Sequence, residues 1–169
     1  MLSALMGIFR VANWLNWIVA ALFAFLGALL LIDPAQFGAR FVGVLGLSQS
    51  QSDAAITWLM GSCLSVLPVA VAVHVILTRL IAMIRDTQAG AAFSEANAQR
   101  LITIALALLA INVVDLAYGQ LSIWASAQTG EYFGWSLSLT GWFAVPLLLV
   151  LARLFREGAA MREDLEGTV

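Results

Sequence analysis

Asn13 to Ile32 reads NWLNWIVAALFAFLGALLLI, twenty residues without a charge. At 1.5 Å rise per residue such a run is about 30 Å long as a helix, the thickness of a bilayer's hydrocarbon core. A water-facing helix of that length needs a polar face, and this one has only Asn13 and Asn16, one turn apart at its start. The run predicts a membrane-spanning helix. Arg10 gives it the basic flank of a secretory leader, but it is longer than the roughly 7–15 apolar residues of such leaders. It also ends at Asp33-Pro34 with no small-x-small cleavage site, so it is read as a retained helix.

Three more stretches reach spanning length: about 54–77, with Pro68 inside it, about 101–125, and about 135–154, with Pro146 inside it. Prolines in such helices predict kinks rather than breaks, because neighbouring helices satisfy the freed carbonyls. The composition agrees. Of 169 residues, 62% are hydrophobic and 11% charged, against roughly 45–50% and about 25% in soluble domains. Such a chain cannot cover a water-facing surface. The expected fold is all-α: one polytopic membrane domain over 1–169, its four helices forming an antiparallel bundle joined by short loops.

Charge sets the expected orientation. Arg10 precedes the first helix, Arg79, Arg85 and Arg100 lie around the loop 78–100, and Arg153, Arg156 and Arg162 end or follow the fourth. Arg40 alone falls on the other side. Seven against one predicts both termini, the loop 78–100 and the tail 155–169 in the cytoplasm. Trp14 and Trp17 then mark the inner interface, and Trp58, Trp124 and Trp135 the outer. The outer stretch from Asp33 to Asp53 contains the apolar FVGVLGL and suits a segment lying on the bilayer surface. The net charge of -2 argues against direct nucleic-acid binding.

Asp115 is the leading intramembrane candidate. It lies 14 residues past Leu101, about 21 Å into the span, where an ionisable group costs about 2.5–3.5 kcal/mol on insertion scales. Asn112 shares its face one turn away. Matching depths on the second and fourth helices brings Ser62, Cys63, Thr140 and Gly141 to the same level. The expected polar cluster is Asn112, Asp115, Ser62 and Thr140. Three readings are open for Asp115: holding helices together, handling a proton or ion, or lying closer to the outer interface than the count places it. His74 falls about 5 Å from the inner end, too far to join it. Gly27, Gly61 and Gly141 suit close helix approach. Cys63 and His74 are the only residues of their kinds, so no disulfide and no metal site is expected. Nor does any phosphate-binding loop or nucleophile elbow occur, and no catalytic residue or cofactor is assigned.

The cytoplasmic loop reads RDTQAGAAFSEANAQR over 85–100. Ser94 is placed as an N-cap, Glu95 suits the positive end of the following helix, and Phe93 the staple position. Gly90 to Phe93, Ser94, Asn97, Ala98 and Leu101 together resemble the G-x-x-F-S-x-x-N-A-x-x-L pattern of the domain-of-unknown-function 2975 family. The ending Phe155-Arg156, Gly158-Ala159, Met161, Arg162-Glu163-Asp164 and Thr168-Val169 is similar to that family's C-terminal signature, with Gly167 where Leu is usual. The resemblance implies a small four-helix protein of a prokaryotic cytoplasmic membrane, of a family with no established activity and often encoded beside a small helix-turn-helix regulator. It implies such a DNA-binding protein as a partner.

Two functions are therefore expected. In the favoured one, the chain anchors a cytoplasmic partner through Arg85, Phe93, Ser94, Asn97, Arg156, Arg162, Glu163, Asp164 and Glu166, the acidic tail meeting a basic surface. In the alternative, it is a small oligomeric transporter or channel built on Asp115.

Overall fold

The computed structural model describes residues 2–46 and 48–166; the side chains at 35, 37, 39, 41, 42, 45, 49, 50 and 162–166 lie outside that description. The described residues form five helices: α1 (Leu2–Ile32), α2 (Pro34–Leu45), α3 (Gln49–Gln88), α4 (Glu95–Thr129) and α5 (Thr140–Glu166). Three of them, α1, α3 and α4, are long and apolar enough to cross a membrane.

Local chemistry explains most of the boundaries. Asp33 caps α2, its Oδ1 accepting from the Gln36 backbone N–H at 2.9 Å with Pro34 at the first helical position. Ser48 and Gln51 form a capping pair for α3, Gln51 Oε1 accepting from the Ser48 N–H at 3.0 Å. At the far end of α3, Gly90 takes φ +80°, a left-handed conformation that costs a residue with a Cβ. The Ala91 N–H then reaches the Asp86 carbonyl at 2.8 Å and the Gly90 N–H that of Thr87 at 3.1 Å, the paired bonds of a Schellman ending. Gly130 ends α4 through one bond to the Ser126 carbonyl at 2.9 Å.

The expected helix over 135–154 begins later, at Thr140, and residues 132–138 have no regular secondary structure. The residue pattern accounts for the difference. Trp135, Leu137 and Leu139 alternate with Ser136 and Ser138 behind Gly134, a period of two rather than 3.6 in poor helix formers. The stretch from Asp33 to Asp53, expected outside the spans, is partly helical, holding α2 and the start of α3.

The buried side chains are mostly small: Ala20, Ala55, Ala70, Ala98, Ala105, Ala125 and Ala152 are at most 2% exposed. Many large ones point outward, such as Trp14 at 73% and Leu147 at 68%, while Leu30, Leu101 and Ile104 are among the few turned inward. Small residues inside and large apolar ones outside is the arrangement of helices that pack in lipid, where close backbone approach replaces the hydrophobic drive.

The chain divides into two compact units. The first is made of Met1–Asn16, Val71–Asn112 and Ser138–Val169. In it His74 Nδ1 meets Asn13 Oδ1 at 2.9 Å, joining α1 to α3. Around the α3–α4 turn, Ser94 Oγ accepts from the Asn97 N–H at 3.2 Å and so caps α4. Asn97, 1% exposed, donates its amide to the carbonyls of Ala91 and Ala92 at 3.2 and 2.9 Å. Arg100 closes the turn by donating to both Asn97 and Asp86. α5 joins here too. Phe155 packs on Phe93 with ring centroids 5.0 Å apart, and Arg156 pairs with Glu95 at 3.2 Å.

The second unit, Trp17–Ala70 and Val113–Leu137, is closed by Trp58. Its Nε1 donates to the buried Ser122 hydroxyl at 3.0 Å, and its ring lies 4.7 Å from Phe133. Gln51 reaches across to the Thr129 carbonyl at the end of α4. Ser126 passes a hydrogen bond on, donating to the Ser122 carbonyl at 2.8 Å and accepting from the Phe133 N–H at 3.0 Å.

Two outcomes follow from the α3–α4 turn. Asn97→Ala strands two loop carbonyls and one arm of Arg100, and is expected to lower stability by on the order of 2–3 kcal/mol. Ser94→Ala, which removes only the cap, is expected to cost about 1 kcal/mol. Thermal unfolding of the detergent-purified protein checks both, and equal effects would contradict the ranking. The Glu95 carboxyl is held below its ordinary 4.5 by the Gln99 side-chain amide and by the Arg156 charge. Its contribution to stability is present above the unfolded value and lost as pH falls through the lower folded one. Gln99→Ala and Arg156→Ala should each move the Glu95 titration upward in carbon-13 NMR spectra.

Candidate functional site

Among the described residues, three places bear on function. The first is the α3–α4 turn. Of the residues expected to bind a partner, Asn97 is fully buried and occupied with loop carbonyls, and Ser94 is occupied as a cap. Arg156 is paired with Glu95. Arg85 is exposed, and Phe93 keeps 54% of its surface exposed although it packs on Phe155. A Cβ at Gly158 would meet the Phe93 ring at 3.1 Å, so the glycine is what lets this ring lie against α5. The side chains of Arg162, Glu163, Asp164 and Glu166 lie outside the described residues.

The second place is an apolar groove of about 630 Å³ in the second unit, lined by Phe23, Gly27, Met60, Cys63, Leu64 and Leu121 among others. Gly27 and Gly61 make room for it: a Cβ at Gly27 would lie 3.3 Å from that of Cys63, and one at Gly61 would collide with Leu121. Its lining is nearly all carbon, so what it offers is mainly dispersion contact.

The third is the middle of α4 and the start of α5. Ser62, expected in a polar cluster, donates its hydroxyl to the Trp58 carbonyl on its own helix at 2.7 Å, the usual way for serine to satisfy itself in an apolar helix. In the second unit Asp115 is half-buried and accepts a long hydrogen bond, 3.4 Å, from the Trp135 indole. Trp135 lies flat over Gly119, where any side chain would collide with the indole. In the first unit Asn112 is 8% exposed and lies against Gly141, whose missing Cβ it replaces. Thr140, beside it, is exposed. The structure therefore brings Asn112 to the Thr140–Gly141 step, gives Asp115 to Trp135, and leaves Ser62 bonded to its own helix.

Asn112 also carries an anomaly. Its Nδ2 is the one buried side-chain polar atom without a hydrogen-bond partner among the described residues. A stranded amide of this kind costs about 1–3 kcal/mol unless something meets it. The amide oxygen of the same side chain lies nearest Gly141, in the first turn of α5, whose N–H groups have no partner within the helix. Phe143 N–H bonds the Leu139 carbonyl at 3.1 Å. Among the described residues no side chain caps Thr140, Gly141 or Trp142.

Trp135 was legible as an outer-interface aromatic but not as the partner of Asp115; the strand-like alternation around it was the available signal. Asn97 as the organiser of a turn had a signal too, the Asn-Ala pair within the quoted motif.

No curated protein and no solved structure matches the chain. The family described as "Protein of unknown function (DUF2975)" matches residues 12–169. With the α3–α4 turn motif and nearly the whole length accounted for, the chain belongs to that family.

Proposed function

We propose that this chain is a four-span protein of a prokaryotic cytoplasmic membrane, with both ends cytoplasmic, that admits a small polar solute or ion where its fourth span is interrupted, working as an oligomer. One observation carries the reading: α5 starts beside the midpoint of α4. Asn112 is 17 residues past Glu95 and 17 short of Thr129, about 26 Å from each end of α4. The Gly141 contact at Asn112 and the Arg156–Glu95 pair support α5 running antiparallel to α4 over that inner half. The outer half of the fourth span is then the non-helical segment 132–138.

Irregular backbone at membrane depth is tolerated only when it is buried in protein or lines a water-filled space. Ser136, Leu137 and Ser138 are exposed in the single chain, and no partner among the described residues takes the backbone N–H groups of 134–142. Water or a second copy must therefore meet them. Broken helices in transporters present this pairing of unwound backbone and helix end at their binding sites. Asp115, three residues past Asn112 along the same helix, is an ionisable group of that span.

A second reading, anchoring of a small DNA-binding regulator at the cytoplasmic face, is favoured by the exposure of Arg85 in the last turn of α3 and of Phe93 in the α3–α4 turn. Cross-linked pull-down from native membranes, with Phe93→Ser as control, tests it: loss of a captured regulator in that variant is the expected result.

The first reading is tested by thiol accessibility. In a Cys63→Ser background, Ser136→Cys and Ser138→Cys should react with a small hydrophilic methanethiosulfonate in proteoliposomes. Val113→Cys, on an exposed apolar position of α4, should not. If positions 136 and 138 resist the reagent as position 113 does, the interrupted span admits no water and the reading fails.

A further inference from the structure

We propose that the cavity between the last two turns of α4 and residues 132–135 is a binding site for an organic ammonium group, carried by a small solute or by a lipid headgroup. The site lies wholly within the second unit. It goes beyond the interrupted-span reading and stands whether or not water reaches positions 136 and 138.

The cavity measures about 150 Å³ and is lined by Ser122, Ile123, Ser126, Tyr132, Phe133 and Trp135. What these residues do with their protons decides what the cavity can hold. The Trp135 indole N–H is given to Asp115 at 3.4 Å, and the Tyr132 hydroxyl donates to the Trp135 carbonyl at 3.4 Å. The Ser126 hydroxyl donates to the Ser122 carbonyl at 2.8 Å, and the Phe133 N–H is spent on Ser126 Oγ at 3.0 Å. Of the lining side chains, Ser122 alone keeps a proton to give, and its oxygen already accepts from the Trp58 indole. What the lining has left is hydroxyl lone pairs and three aromatic rings. A hydroxyl whose proton is committed can only accept, and a ring face carries partial negative charge. Both call for a cation.

The surroundings have the same sign. Ser122 and Ser126 lie in the last two turns of α4, where the helix carries roughly half a negative elementary charge. The second unit holds Asp33, Asp53, Asp115 and Glu131 against Arg40 alone. A hard metal ion fits poorly, since such ions take roughly six or more oxygen ligands, carboxylates among them. No carboxylate lines this cavity. An alkylated ammonium asks less of oxygen, and aromatic side chains are the usual means of holding one.

The test uses the full chain labelled with fluorotryptophan, in a maltoside detergent that has no ammonium group of its own. It follows the Trp135 signal in fluorine-19 NMR spectra, assigned with Trp135→Phe. Choline is expected to shift that signal saturably, and dimethylbutanol, its uncharged carbon isostere, is not. Tyr132→Leu and Phe133→Leu keep bulk and remove a ring, and each should weaken choline about fivefold or more. Mixed micelles separate the two sources. A shift with phosphatidylcholine or phosphatidylethanolamine, absent with phosphatidylglycerol, assigns a headgroup, and a shift with choline alone assigns a solute. Failure of choline and of both ammonium lipids to move the signal overturns the proposal. So does an equal response to the uncharged isostere, or unchanged affinity in the ring variants with the parent's circular dichroism. Should Phe133→Leu fail to fold, because that ring packs on Trp58, Tyr132→Leu still decides, since Tyr132 is 82% exposed. Thiol reactivity at positions 136 and 138 with no choline response would leave the interrupted span standing and remove only the ammonium site.

Discussion

Satisfying the backbone without water is the constraint on which this structure depends. An apolar chain of this composition has few side chains with which to hydrogen-bond a loose N–H or carbonyl, and hydrocarbon supplies none. Long helices meet the demand along their length, and the ends are where it becomes expensive. That is why the polar residues gather there: Asp33 and Ser48 at the amino ends of α2 and α3, Ser94 at that of α4, with the left-handed glycines 90 and 130 at two carboxyl ends. Within the helices the hydroxyls of Ser62, Thr78 and Thr103 bond carbonyls of their own turns, so they add no unmet demand.

The α3–α4 turn shows the same economy carried through a whole loop. Asn97 holds the loop carbonyls that the Schellman ending leaves over, Arg100 holds Asn97 and Asp86, and Phe93 turns outward onto Phe155 and the bare backbone of Gly158. The residues of the family motif are therefore first of all the parts of a closed hydrogen-bonded corner. A surface for a partner has to be sought in what the corner leaves exposed, chiefly Arg85 and the outer edge of Phe93.

Against that background the start of α5 stands apart. Every other helix start among the described residues of 34–130 has a side-chain cap, and this one has the Asn112 amide packed against its first turn instead. The glycines sharpen the contrast. Gly27, Gly61 and Gly119 admit apolar neighbours, whereas Gly141 admits a polar one. Close approach in the first three is settled by dispersion alone; at Gly141 it sets an amide oxygen against a helix start.

How much of this could be read without coordinates follows from the range of the forces involved. Apolar runs, arginine placement and the Ser94 cap depend on residues close in sequence, and so the apolar spans, the turn and the family were legible from the residues themselves. Asp115 and Asn112 were legible as unusual, because depth in a span follows from counting. The level of Asn112's neighbour was legible too, since the same counting put Thr140 and Gly141 there. The Trp135 indole was not, because it reaches Asp115 from a segment that the apolar count had assigned to a helix, and Ser62 bonds its own backbone. The start of α5 is the clearest case. Overall hydropathy is nearly blind to the difference between a helix and an extended run, and Gly134 to Leu139 satisfies both. Only tertiary contact, with Trp135 seated on Gly119 and Gly141 under Asn112, decided where the last helix begins.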